Sequence, residues 1–198
     1  YYIMKIYVIP KIIETYKGQF EFSLEKKLIE FIKFIKPKSK IEILYSKKKI
    51  SKNSMMIISG GNNIQKFSNS KSDIIRSKLD NYYFNFSKKN NFNIKILGIC
   101  HGAQFLSYKF GANLKKTDNN LHTKQHKIII EKKKHIVNSY HNIIIKNLKN
   151  SFKILAKGED KTVESFIHKK FKIMGIIWHP ERYKKFKNFD KKLINTYL

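Results

Sequence analysis

Cysteine is nearly absent. The 198-residue chain holds one, Cys100, so no disulfide can close within it. Three prolines and eight glycines are too few for a Pro-rich linker, and neither an internal repeat nor a low-complexity tail divides the sequence. We therefore expect a single domain over residues 1–198. Nowhere do about 18 uncharged apolar residues run together, so no membrane-spanning helix is expected. The apolar stretch from Tyr1 to Pro10 is interrupted by Lys5 and ended by Pro10 and Lys11. It reads as a buried first strand rather than a secretion signal, and a cytoplasmic location is expected. Because the sequence opens on Tyr1, residues upstream of it, or a natural start at Met4, are also expected.

Acidic residues are scarce too. Fourteen of them face 42 basic ones, a net charge of +28. Such a balance suggests a polyanion binder. The lysines are nonetheless spread through almost every segment, as at Lys47–Lys49, Lys88–Lys89 and Lys132–Lys134, among many Ile and Asn residues. That distribution fits a solvated, lysine-coated exterior better than a focused patch. Neither nucleic acid nor membrane is expected as a partner, although anionic small molecules would be drawn to the surface.

What is plentiful is core material: 41% hydrophobic residues, with 15 Phe and 11 Tyr. Ile3–Ile9 reads as a strand. Leu24, Leu28, Ile32 and Ile35 recur at helical spacing until Pro37. Ile41, Ile43 and Tyr45 alternate as a strand, and Met55–Ile58 is a short buried strand that enters Ser59-Gly60-Gly61. A helix is predicted over 72–87, a buried strand over 94–99 and a helix over 102–110 with Gly111 near its end. Strand-like runs follow at 128–130, 143–145, 152–156, 163–167 and 171–178, then a closing helix over 190–197. Alternating strands and helices, then strands in series, predict an α/β fold: a three-layer sandwich around a mostly parallel central sheet.

A lone cysteine is ordinarily a small buried hydrophobe. Here it sits in Gly98-Ile99-Cys100-His101-Gly102, where a buried strand meets a helix. Glycines two residues either side permit the sharp turn of a nucleophile elbow, and the helix N-terminus favours a thiolate. With eight glycines in the chain, chance would flank the only cysteine this way roughly once in six hundred sequences. A cysteine nucleophile needs a base and a group to orient it. Trp178-His179-Pro180-Glu181 follows a strong strand, and in an extended backbone Glu181 would project to the same side as His179. Ser59-Gly60-Gly61, alone only a loop signal, would let backbone N–H groups approach an oxyanion. Cys100, His179 and Glu181 are thus the candidate catalytic residues. His122 and His126 lie four residues apart with no cysteine near them and no carboxylate between them in sequence. They read as loop or lid residues, and no metal site and no cofactor is expected.

These three segments, in this order, resemble the class I glutamine amidotransferases, with their Ser-Gly-Gly loop, Gly-x-Cys-x-Gly-x-Gln elbow (Gly98 through Gln104) and late His-Pro-Glu. Within that family, Val137-Asn138-Ser139-Tyr140-His141 resembles the Val-Asn-Ser-Phe-His segment of the γ-glutamyl hydrolase branch. By itself the segment also reads as an ordinary turn between strands. Gly158-Glu159-Asp160 and Val163-Glu164-Ser165 fit the same branch. The resemblance implies a flavodoxin-like sheet and a glutamyl thioester on Cys100. It implies oxyanion donors at the N–H groups of Gly61 and His101. Substrate contacts would come from Gly60, Gln104, Asn138, Ser139, Tyr140 and His141. It further implies a small-molecule γ-glutamyl amide substrate, with γ-glutamyl-CDP-amidate of capsule phosphoramidate synthesis as the nearest fit. Alternatives are a γ-glutamyl-aminobutyrate hydrolase, a glutaminase subunit feeding ammonia to a separate synthase, and a retired homologue that binds polyanions. A synthase partner is possible in this reading but not required. The chain departs from the family at His101, where Arg is frequent, at Asn62-Asn63, where an acidic residue is common, and at Ser72-Asp73 with Arg76 in the following helix. Those departures bear on the leaving group and leave the three candidate catalytic residues in place.

Overall fold

The computed structural model describes residues 3–118 and 120–198. Tyr1 and Tyr2, the start of the predicted first strand, lie outside the described residues. In chain order the elements are β1 (Lys5–Ile9), β2 (Lys11–Tyr16), β3 (Gln19–Ser23), α1 (Lys26–Ile35), β4 (Lys40–Ile43), β5 (Met55–Ile58) and α2 (Lys71–Lys89). Then follow β6 (Lys95–Ile99), α3 (His101–Lys109), β7 (Asn113–Lys116), β8 (His126–Ile130), β9 (Lys133–Val137) and β10 (Ile143–Asn147). The chain finishes with β11 (Phe152–Gly158), β12 (Val163–His168), β13 (Ile173–Ile176) and α4 (Asn188–Tyr197).

One sheet runs β4-β1-β5-β6-β13-β12-β11-β8-β9, with β10 pairing β12 and β7 beside that path. The five strands from β4 to β13 pair in parallel. Those beyond β13 pair antiparallel. Period-two alternation builds the layers. From β1, Tyr7 and Ile9 join one cluster with Leu79, Tyr83 and Phe84 of α2 and Phe105 and Leu106 of α3. Ile6 and Val8 join the other with Phe31 and Ile32 of α1 and Leu193 and Ile194 of α4. Because helices cover both faces, β5 and β13 are buried at every residue, which is why they appear in the sequence as unbroken apolar runs. The α/β sandwich is as expected.

The sequence reading missed four strands. β2 and β3 form a separate hairpin that turns at Gly18, whose φ is +82°. Pro10 therefore ends β1 without ending the extended chain. β7 (Asn-Leu-Lys-Lys) and β9 (Lys-Lys-His-Ile-Val) are rich in lysine. β9 is the last strand of the sheet, where exposed lysines block further pairing.

Candidate active site at the ends of β6 and β13

β6 and β13 are parallel neighbours, with Ile99 opposite Ile176. Whatever follows their carboxyl ends is brought side by side, the position at which open α/β sheets carry their sites. Cys100 directly follows β6, and its N–H donates to the Ile176 carbonyl at 2.8 Å. It then turns sharply into α3 with φ 49° and ψ −102°. A non-glycine residue held there is strained, as a nucleophile elbow requires. The flanking glycines are required by contact. A Cβ on Gly98 would lie 2.5 Å from the Gly102 carbonyl carbon, and one on Gly102 would enter the Ile58 carbonyl oxygen.

His179 follows β13 and is buried. Its Nδ1 lies 2.6 Å from Glu181 Oε1, leaving Nε2 for the thiol. Glu181 reaches the ring through a short 3-10 turn at Pro180–Arg182, not along the extended backbone expected from the two-residue spacing. Burial disfavours the imidazolium, but the charge and hydrogen bond of Cys100, followed by those of Glu181, outweigh it and raise His179 to about 10. Such a thiol–imidazole–carboxylate set can form a thiolate–imidazolium pair and attack an electrophilic carbonyl.

Gly60 borders both groups: a Cβ there would lie 3.4 Å from Cys100 Cβ and 2.6 Å from His179 Cε1. Gly61, φ +113°, packs under the Lys11 side chain. The residues assigned to substrate by resemblance divide into two groups. Tyr140 is 55% exposed, with its ring 5.7 Å from that of His179 and 5.1 Å from the Arg182 guanidinium. The other side chains turn into the protein. Asn138 Nδ2 donates to the His179 carbonyl and Asn138 Oδ1 accepts from the His179 N–H, both at 2.8 Å. Ser139 Oγ donates to the His122 carbonyl at 2.6 Å. His141 Nδ1 donates to the Ile143 carbonyl at 3.0 Å, and Gln104 Nε2 donates to the same oxygen at 2.8 Å.

The departures at His101 and Arg76 belong to one device. His101 Nε2 donates to Asp80 Oδ2 at 2.8 Å, and Arg76 Nε reaches both Asp80 oxygens at 2.9 and 3.0 Å. Arg76 also donates to the Pro10 carbonyl at 2.9 Å and the Ser59 carbonyl at 2.8 Å. Burial opposes ionisation of Asp80, but the Arg76 charge and the His101 hydrogen bond hold its carboxyl below the usual range. This buried network ties the elbow, the Ser-Gly-Gly loop and β1 together. Its only sequence signal was the four-residue spacing of Arg76 and Asp80 on a helix. A second clamp centres on Asp73, which accepts from Asn62 Nδ2 at 3.0 Å and the Asn63 N–H at 2.9 Å. Asn62 Oδ1 in turn accepts from the Ile12 N–H at 2.9 Å, fixing the hairpin over the loop. At the rim, Glu25 accepts from Arg182 Nε at 3.1 Å and Nη2 at 2.5 Å, with Lys11 Nζ 3.9 Å away. The Arg182 hydrogen bond keeps the Glu25 carboxyl low despite its partial burial.

His122 and His126 are not lid residues. Both are buried, one in a short turn at Asn120–Thr123 and the other opening β8. The fold brings them to His141 and to Glu164 of β12, a carboxylate 38 residues further on than His126. The expectation that they lack ligand-type neighbours rested on sequence proximity and is corrected here.

Residues 16–196 match the family description "Glutamine amidotransferase class-I". The chain belongs to that family. It is 34% identical to the "Gamma-glutamyl-CDP-amidate hydrolase" of Campylobacter jejuni subsp. jejuni over 130 residues, 64% of this chain and 62% of that one. It is also 34% identical to a "GMP synthase [glutamine-hydrolyzing]" of Campylobacter hominis over 107 residues, 50% of this chain and 21% of that protein. Thus the chain spans less than two thirds of these relatives. Among solved structures, a putative GMP synthase subunit from Thermoplasma acidophilum superposes with TM-score 0.70 at 20% identity, covering 100% of this chain and 93% of that one. A glutamine amidotransferase from Thermotoga maritima gives 0.65 at 15% identity, over 91% and 77%. Both share the fold. No helix among the described residues is long and apolar enough to cross a membrane.

Proposed function

We propose that this amidotransferase is a cysteine hydrolase that cleaves a γ-glutamyl amide, with γ-glutamyl-CDP-amidate as its substrate, giving glutamate and CDP-amidate. The observation that carries this reading is the buried His179, bonded to Glu181 and facing the thiol of a strained elbow. Cys100 thiolate attacks the γ-carbonyl carbon, and the carbonyl π pair moves to oxygen, where the N–H groups of Gly61 and His101 receive it. The oxyanion collapses and breaks the C–N bond, while imidazolium His179 gives its proton to the departing nitrogen. A glutamyl thioester remains. His179 then takes a proton from water, the hydroxide attacks, and glutamate leaves as the thiol is restored. Glu181 keeps the imidazole oriented throughout, and Asn138 fixes its backbone. Tyr140 and Gly60 contact the glutamyl group. Gln104, Ser139 and His141 act as positioning residues, since their side chains are already bonded inside the protein.

Similarity to the Campylobacter jejuni hydrolase supports the nucleotide-linked leaving group. So do Lys11 and Arg182 at the rim, which suit an anion. We place the enzyme in the cytoplasm, where a lone thiol stays reduced, as a single domain needing neither nucleic acid nor membrane. A second reading, a glutaminase subunit that passes ammonia to a separate synthase, is favoured by the similarity to GMP synthases. Glutamate release from γ-glutamyl-CDP-amidate, glutamine and γ-glutamyl-aminobutyrate separates the readings. We expect unaided turnover with preference for the nucleotide amidate, and loss of at least about three orders of magnitude in Cys100→Ala. Turnover of glutamine only after a synthase is added would replace the first reading by the second.

A further inference from the structure

Behind the segment that carries Asn138 and Tyr140, three imidazoles and a carboxylate converge, and of these the chemistry above uses only His141, through its Nδ1 bond to the Ile143 carbonyl. His122 and Glu164 have no exposed surface, His126 and His141 are buried, and they come from the Asn120–Thr123 turn, β8, the segment before β10, and β12. Inside the cluster, His122 Nδ1 lies 3.6 Å and His126 Nε2 3.5 Å from Glu164 Oε1. Donor atoms of His122, His141 and Glu164 all fall within 4.8 Å of one another, while His126 stands outside that set and meets it at Glu164 Oε1.

Outside the cluster, every ring has an oxygen on its other nitrogen. His122 Nε2 donates to Asp160 Oδ2 at 2.8 Å, His141 Nδ1 to the Ile143 carbonyl at 3.0 Å, and His126 Nδ1 faces the Lys124 carbonyl at 3.4 Å. In its neutral form each imidazole gives its single N–H to that acceptor and points its lone pair inward. With the three rings neutral, as zinc ligands must be, the inward atoms are three lone pairs and an anion. None has a hydrogen-bond partner: His122 Nδ1, His126 Nε2, His141 Nε2 and both Glu164 oxygens are buried and unsatisfied. Acceptors facing acceptors in a dry interior repel, and a carboxylate without donors carries an uncompensated desolvation penalty. A cation removes both problems.

We propose that His122, His126, His141 and Glu164 hold one structural zinc ion. Three nitrogens and one oxygen are a zinc-type donor set. Tetrahedral bonds of about 2.0–2.1 Å put ligand atoms about 3.4 Å apart, close to the two separations seen at Glu164 Oε1. Four protein ligands close the site and leave no position for substrate, so its role is to hold loops. Ser139 Oγ and the His141 N–H both bond the His122 carbonyl, so the ion would pin the segment whose Asn138 clamps His179.

Zinc content and thermal stability of the Cys100→Ala chain test this, because in that background the thiol cannot bind metal. Purified without chelator from zinc-supplemented cells, it should carry about one zinc per chain. Stripping should lower Tm by about 5 °C or more, and re-added zinc should restore it. Cobalt added to stripped protein should give the visible absorption of a tetrahedral site. Glu164→Gln and His141→Asn should abolish stoichiometric binding; if either fails to fold, the cobalt spectrum of the parent chain decides. Less than about a tenth of an ion per chain with a Tm indifferent to zinc would overturn the proposal. So would full zinc occupancy in both variants. Neither result depends on which amide is cleaved.

Discussion

Gly60 isolates what a single atom does at the site. A methyl there would sit 2.6 Å from His179 Cε1, closer than real contacts allow, and 3.4 Å from Cys100 Cβ. The ring, clamped by Glu181 and by Asn138 on its backbone, must move for the methyl to fit. Gly60→Ala should therefore lower kcat on the order of 100-fold, the scale of an ångström's misplacement of a catalytic group. Tm should stay near the parent value, since the methyl meets a side chain and not the backbone. A kcat within twofold of the parent would show that the ring tolerates displacement. At this scale the candidate site was legible where chemistry is local in sequence: Gly98 to Gly102 must be contiguous to turn, and His179 and Glu181 share the short turn that follows β13. It was not legible where partners are far apart. Nothing near His101 announces Asp80, and nothing near His122 announces Glu164, because only folding brings them together.

Among the elements, α4 is anchored by an acid in an unusual setting. The Trp178 Nε1–H donates to Asp190 Oδ1 at 2.9 Å, inside the second core cluster, while Asp190 Oδ2 has no partner. Burial, only partly offset by the Trp178 hydrogen bond, raises Asp190 from 3.8 to about 6. Below pH 3.8 the group is neutral in both folded and unfolded chains. Between 3.8 and about 6 the unfolded chain releases the proton while the folded one keeps it, so stability from this group falls as pH rises, then levels off. Asp190→Asn retains an acceptor for Trp178 and never ionises. Its stability relative to the parent should rise by about 2 kcal/mol from pH 4 to pH 7, measured by urea unfolding at each pH. A difference that stays flat would place the carboxylate in a solvated site. Elements themselves were readable where packing dictates composition. β5, β13 and all of β6 after Lys95, enclosed by helices, are apolar. β7, β9 and the β2–β3 hairpin carry lysines because they lie where water reaches one side, and there composition no longer separates strand from loop.

At the scale of the whole molecule, the net charge of +28 has a consequence that no single contact carries. The lysines are distributed, so their summed field attracts anions from every direction, and the rim adds Lys11 and Arg182 beside the cleft. Glu25 cancels part of the local term through its bond to Arg182, which leaves the long-range field as the larger influence on encounter. That field is screened within about 10 Å at 0.1 M salt and about 3 Å at 1 M. For an anionic nucleotide amidate, kcat/KM should accordingly fall about tenfold between roughly 0.05 and 0.5 M NaCl, with the loss in association rather than in kcat. Glutamine, a zwitterion without net charge, should change less than about twofold over the same range. The comparison is internal, because both substrates use the same thiol and the same imidazole, so any effect of salt on fold or chemistry cancels between them. Equal responses would mean that the lysine coat serves solubility alone and that selection of the leaving group rests on contacts inside the cleft.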